Sequence, residues 1–381
     1  MSEPSRGVAY AIGGLFKAGL SFDKIDKLWS VLYSKKPVIR EKLAILLVIE
    51  GISVAIGSDV DSYLKEFVPF ILESFAVPDL NNQAGKTLLQ LTRQLDEKSI
   101  KLMIELLQFD SVNWKTKVGS LQAIGNLALG APKRFLKDIV PEVVSSFTDT
   151  NKNVLQEARN AISKIGKVIV NPEIAKLVRQ INVALGDATK VQGVLTLLSK
   201  TKFRNEIDAA SLSLIMPIIE KGLKSKNIEI KLIACKAIEA VAEFTQPQDM
   251  QLYFDRLLPC YGSSLFDSIP EVRECAADTL GLLAKYLGAD NTSEVVEWLD
   301  DMLQSECSAI ERAGASFAYS KIIPYINWDL HVFLAMCKHD EVYIRESYLE
   351  LLSYLPTSMS FLENFDEICT IMYENISHVN T

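Results

Sequence analysis

A two-helix unit recurs about ten times along this chain, with a period of roughly 40 residues. Three copies show it plainly. Leu136–Ile174 carries Pro141, an acidic turn at Asp149 and a helix beginning near Asn153. Leu212–Thr245 carries Pro217, a turn at Ser225 and a helix from Ile228. Leu252–Gly288 carries Pro259, a turn at Asp267 and a helix from Pro270. The proline precedes the turn by eight residues in each copy. A helix pair this small cannot bury its apolar face alone, so successive pairs must stack into a solenoid with one continuous core.

The rest of the chain agrees. Strand signals are poor, with few alternating Val/Thr runs and no Asn-Gly or Asp-Gly hairpin between apolar segments. Amphipathic runs such as Asp61–Phe75, Ser99–Phe109 and Ser293–Leu303 recur instead. With 49% hydrophobic residues and only 18 Gly and 13 Pro, the reading is all-α: one HEAT-type α-solenoid over 1–381. Units are expected at 22–57, 61–95, 97–130, 133–170, 172–203, 207–245, 248–288, 292–325 and 327–358. Gly7–Leu20 reads as a second helix without its first, and Leu362–Ile376 as a first helix without its second. Neither end has the polar outer face of a capping repeat, so the expectation is a segment of a longer solenoid or a shortened relative of one.

Inside the units the recurring residues have physical roles. Pro69, Pro141, Pro217 and Pro259 fall within first helices, where each removes one backbone donor. Asp or Ser at the turn is expected to cap the second helix. A basic residue early in that helix (Arg40, Lys115, Lys231, Arg273, Arg312, Arg345) is placed to meet the acidic turn of an adjacent unit, forming a structural ladder of charge pairs. Gly119, Gly125, Ala276, Ala277, Gly314 and Ala315 would let second helices approach closely, and Gly57, Gly130 and Gly288 would end helices.

The formal charge of −8 conceals a division. Residues 1–236 hold 33 basic against 24 acidic side chains; residues 237–381 hold 7 against 24. Basic clusters lie at turns of the first block: Lys35 and Lys36, Lys115 and Lys117, then Lys133, Arg134 and Lys137. Lys200, Lys202 and Arg204 follow, and then Lys221, Lys224 and Lys226. Stacking is expected to align them into one discontinuous basic edge that neutralises phosphates without reading sequence. The acidic block supports an alternative, a protein-only adaptor that grips a basic partner.

Chemistry has little footing. No GxxxxGK[ST] loop is present, and the three histidines (His331, His339, His378) have no triad spacing. The six cysteines form no CxxC pair, so neither metal nor disulfide is expected. No uninterrupted apolar run reaches the roughly 18 residues of a membrane span, and the N-terminus lacks a basic lead into an apolar signal core. The reading is a non-enzymatic chain with no cofactor and no small-molecule substrate.

Specific wording narrows the class. Ile207-Asp-Ala-Ala-Ser-Leu-Ser-Leu-Ile-Met-Pro217 resembles a line of the general control translational activator family, giant ribosome-associated HEAT proteins. The HEAT domain of fungal translation elongation factor 3 carries a looser version. Arg6-Gly-Val-Ala-Tyr-Ala-Ile-Gly-Gly-Leu, Trp114-Lys-Thr-Lys-Val-Gly-Ser, Val168-Ile-Val-Asn-Pro-Glu-Ile174, Pro270-Glu-Val-Arg, Glu311-Arg-Ala-Gly-Ala and Ile344-Arg-Glu-Ser-Tyr follow collinearly. The resemblance implies the central, elongation-factor-3-like region of that family. It implies a cytoplasmic, ribosome-associated scaffold that contacts ribosomal RNA and proteins, the stalk among them, alongside other translation factors. In the family the signal goes to the kinase of initiation factor 2. The repeats that hold that kinase, and the ATP-binding cassettes of elongation factor 3, have no counterpart in these 381 residues.

Overall fold

The computed structural model describes residues 6–18, 39–111, 113–130, 133–355 and 364–378. Helices dominate them, and the sole β-type pairing among them is an isolated bridge between Ile207 and Thr245. Contacts gather the chain into two compact units, Met1–Val170 and Asn171–Thr381. The composition boundary at residue 236 is therefore not a packing boundary; it falls inside the second unit. Surface charge leaves helix packing untouched, and the helices on either side of residue 236 belong to one continuous stack.

The first unit contains α1 (Arg6–Lys17), α2 (Ile39–Ile56), α3 (Leu64–Phe75), α4 (Asn81–Thr92), α5 (Glu97–Leu106), α6 (Trp114–Gly130), α7 (Leu136–Ser145) and α8 (Lys152–Gly166). Second helices pack on second helices, α1 on α2, α2 on α4, α4 on α6 and α6 on α8, while α3 and α5 form an outer row. Glycine sets the first crossing: a Cβ on Gly13 would sit 2.3 Å from the Gly51 carbonyl oxygen. Within Glu41–Phe75 an 18-residue stretch reaches a mean hydropathy of 2.0, enough for a membrane span, yet the segment is two core helices. Gly57, at φ +61°, breaks it, and Ile45, Leu46, Ile49, Ile52 and Leu64 are fully buried.

The second unit contains α9 (Pro172–Gly186), α10 (Val191–Lys200), α11 (Ala209–Leu223), α12 (Ile228–Ala242), α13 (Pro247–Gln251), α14 (Phe254–Leu265), α15 (Pro270–Leu287), α16 (Ser293–Gln304), α17 (Ala309–Ile322), α18 (Leu330–Met336), α19 (Val342–Tyr354) and α20 (Phe365–His378). Its inner row runs α10, α12, α15, α17, α19. Helix α11 departs from the outer-helix pattern because nearly every residue is buried, Ala209 through Glu220 without a break. Its sequence is apolar almost all round, and such a helix belongs in an interior. Helices α9, α10, α12, α13 and α14 all pack against it.

The turns carry a device finer than a single cap. In three units one side chain bonds the amide two residues on, and that second residue caps the helix. Asp149 Oδ1 accepts from Asn151 N at 2.7 Å, and Asn151 accepts from Asn153 N. Ser225 Oγ accepts from Asn227 N at 3.1 Å, and Asn227 caps α12. Ser111 and Asn113 repeat it ahead of α6. The expected capping residue at the turn thus closes an Asx- or Ser-type turn, and the cap itself lies two positions later.

Candidate functional site

Antiparallel helix pairs send the two kinds of turn to opposite ends of each unit. Lys115 opens α6 and Lys133 follows its end, so a 17-residue helix, about 25 Å long at 1.5 Å per residue, lies between them. Helix α11 likewise separates Arg204 from Lys224. Within each compact unit the basic clusters therefore fall at both ends of the helix pairs, whereas the sequence suggested a single edge. Turn residues look alike in sequence whether they join helices within a pair or between pairs, which is why the distinction was hidden.

Around the within-pair turns four lysines contact a neighbouring repeat. Lys115 Nζ donates to the Ala76 carbonyl at 2.8 Å, just past the end of α3, and stands 5.9 Å from the Trp114 ring centroid. Lys117 Nζ pairs with Asp149 at 2.7 Å, in the turn of the following repeat. Lys221 Nζ donates to the Leu185 carbonyl at 2.7 Å, near the end of α9, and burial pushes its ammonium below its ordinary range. Lys231 Nζ reaches Asp267 at 2.6 Å and the Ser263 carbonyl at 3.3 Å. Helix C-termini present unsatisfied carbonyls and partial negative charge, so an ammonium from the adjacent repeat is well matched there. The lysine hydrogen bonds hold Asp149 and Asp267 below the usual carboxylate range.

The arginines of the expected ladder act differently. Arg273 Nη1 donates to its own turn's Asp267 carbonyl at 2.7 Å, Arg345 Nη1 to the His339 carbonyl at 2.7 Å, and Arg312 Nη1 to the Cys307 carbonyl. A guanidinium one turn into the second helix folds back over the turn that precedes it. These three brace their own repeats, and Arg312 also lies 5.3 Å from the Tyr343 ring centroid in the following repeat. The side chain of Arg40 lies outside the described residues, as do Lys35 and Lys36 entirely.

The connections between pairs also carry exposed basic residues. Lys133 is exposed and Lys137 half-buried in the first unit; the Arg134 side chain is outside the described residues. In the second unit Lys200, Lys202 and Arg204 are all exposed. Their segment is firmly held. Phe203 is buried between them and packs its ring 6.2 Å from that of Phe244. Ile207 N donates to the Phe244 carbonyl at 2.7 Å, and buried Asn171 donates Nδ2 to the carbonyls of Asn205 and Glu206. The chain is extended here, so alternate side chains point oppositely and Lys202 and Arg204 face away from Phe203's pocket. Exposed Lys176 and Arg179 on α9 add to the same neighbourhood, since Asn205 also donates to Glu173 at the start of that helix, at 2.7 Å.

Comparison with known proteins matches this organisation. The "EF3 N-terminal HEAT repeat" profile fits residues 5–162, and the "Elongation factor 3/GNC1 HEAT repeat" profile fits residues 190–294. The eIF-2-alpha kinase activator GCN1 of Dictyostelium discoideum is 31% identical over 381 residues, 94% of this chain. The Stalled ribosome sensor GCN1 of Homo sapiens is 27% identical over 373 residues, 92% of this chain. The chain belongs to the GCN1/elongation factor 3 family of HEAT-repeat proteins. It spans 14% of the length of those two GCN1 relatives. Elongation factor 3A of Saccharomyces cerevisiae is 23% identical over 309 residues, 73% of this chain and 30% of its own length. Within the family frame, the boundary between the two compact units falls in the gap between the two profiles. The second profile includes the Lys200–Arg204 loop.

Proposed function

We propose that this chain is a non-enzymatic ribosome-contacting scaffold in translational control, with the exposed loop Lys200, Lys202 and Arg204 as its principal RNA contact. The observation that supports it is the collinear GCN1 likeness over more than nine-tenths of the chain. The loop adds a physical means. Its three cations are exposed, and Phe203, Ile207 and Asn171 fix the backbone beneath them. A rigid cationic loop can meet phosphates without first ordering itself, and such contacts position a protein without reading bases. The relatives' names, an eIF-2-alpha kinase activator and a stalled ribosome sensor, support a role in that signalling, and a cytoplasmic location is part of the proposal.

The test is co-sedimentation of the chain with ribosomes across a salt series. Reversing Lys200, Lys202 and Arg204 to Glu is expected to abolish pelleting at moderate salt while the thermal midpoint stays put. Equal pelleting of the reversed protein at every salt concentration would remove the loop from the interface. Charge reversal of Lys115 and Lys117 would instead break contacts between repeats.

A further inference from the structure

A second site lies in the acidic repeats, away from every basic cluster. Helices α16, α17, α18 and α19 enclose a cavity of about 390 Å³, lined among others by Asp300, Gln304, Tyr319, Trp328, Phe333 and Tyr348. Its wall is aromatic: the Trp328 and Phe333 rings lie 5.1 Å apart, and those of Phe333 and Tyr348 lie 5.9 Å apart. One carboxylate sits among them. Tyr348 donates its hydroxyl to Asp300 Oδ1 at 3.0 Å, and Tyr319 donates to Oδ2 at 3.3 Å. Gln304 in turn donates to the Tyr348 hydroxyl oxygen at 3.4 Å. Gln304 and Asp329 are exposed at the rim, so the cavity opens to solvent.

What is missing from this arrangement is a positive charge. The cavity lining contains no lysine or arginine, and the charged neighbour acting on Asp300 is another acid, Asp301. Burial pushes the Asp300 carboxyl above its ordinary range, against the pull of the two tyrosine hydroxyls. Two accepted hydrogen bonds leave about half of a carboxylate's lone-pair sites unused. The occupant that answers all of this is a cation with a flat or apolar body. Aromatic faces attract cations, and a guanidinium can stack on a ring while its N–H groups meet a carboxylate. The surrounding block, with 24 acidic against 7 basic residues beyond position 236, would repel an anionic ligand and draw a basic one.

We propose that this aromatic-walled cavity receives an arginine side chain from a basic protein segment, with Asp300 as the counter-charge and Trp328 as the stacking surface. The bland alternative is that Asp300 only ties Tyr319 and Tyr348 to α16. The two differ in what binds. The site goes beyond ribosome contact and does not depend on it, since no residue is shared with the Lys200–Arg204 loop.

The experiment measures fluorescence anisotropy of a labelled hexa-arginine peptide titrated with the full 381-residue chain. A hexa-citrulline peptide, of like shape but neutral, is the comparison. Arginine is expected to bind and citrulline to bind at least about tenfold more weakly. Asp300→Asn and Trp328→Ala should each weaken arginine binding by about tenfold, with circular dichroism unchanged. Asp301→Asn, on the neighbouring exposed acid, should change it by less than about threefold. Should Asp300→Asn fail to fold, Trp328→Ala at the half-buried rim decides alone. Equal binding of both peptides, or equal loss from Asp301→Asn and Asp300→Asn, would reduce the cavity to a structural knot in an acidic surface and overturn the proposal.

Discussion

At the scale of single residues, the turn lysines are sorted by what their neighbours leave unsatisfied. Lys231 has a side chain only 11% exposed against Asp267 at 16%, so each would be stranded without the other. Replacing Lys231 by Met is expected to cost about 2 kcal/mol, as for a charged hydrogen bond removed from a half-dry site. Lys200→Met, at an exposed connection, should stay within about 0.5 kcal/mol. Chemical denaturation of both variants checks the contrast, and a cycle with Asp267→Asn isolates the pair's coupling. The pH dependence follows in sign. Asp149 and Asp267 titrate lower in the folded chain than unfolded. Their contribution is therefore present above the ordinary carboxylate range near 3.9 and is lost as pH falls through their depressed values. Asp300 runs the other way, because its raised folded value disfavours the ionised folded state at neutral pH and is relieved on acidification. Lys231→Met should flatten the acid limb of the stability curve; an unchanged limb would mean the pair is solvated.

At the scale of helices, close approach is governed by glycine. A Cβ on Gly314 of α17 would fall 2.2 Å from the Leu265 carbonyl oxygen at the end of α14. Gly193 on α10 has nothing within 4 Å of where its Cβ would be. Gly314→Ala is expected to destabilise by about 1–3 kcal/mol through forced separation of packed helices. Gly193→Ala should stabilise by about 0.5–1 kcal/mol through helix propensity alone. Thermal melts of the two single variants should move in opposite directions, and a shared sign would refute the close-packing account. The period and the glycine positions made this level legible in the sequence: Gly314 was marked by its place in a second helix. The paired turn residues were half legible, since Asp149 and Ser225 were visible but the cap two positions on was not. What stayed hidden was direction. Lys115 and Lys200 both read as turn lysines, and only folded geometry separates a lysine that reaches Ala76 from one that faces water. The aromatic cavity was equally invisible, because Asp300, Tyr319, Trp328 and Tyr348 are spread over 49 residues and meet only when four helices stack.

At the scale of the whole chain, the proposed binding to a polyanion must be reconciled with a net charge of −8, and the division at residue 236 bears on it. Net charge sets the long-range field, whereas counterion release depends only on the cations that touch phosphates. Four of the 33 basic residues before position 237, Lys115, Lys117, Lys221 and Lys231, are committed to neighbouring repeats. Binding should therefore be far less salt-dependent than the basic block's composition implies. If Lys200, Lys202 and Arg204 each neutralise one phosphate, log K against log salt should fall with a slope near −3, taking about 0.9 per contact. Reversing the three should bring that slope close to zero. Replacing Lys115 and Lys117 by Met should leave the slope unchanged while lowering the thermal midpoint, because those cations work inside the stack. A slope near −8, or one that flattens when Lys115 and Lys117 are replaced, would show that the within-pair edge opens to reach the RNA, and the division of labour between the two edges would have to be abandoned.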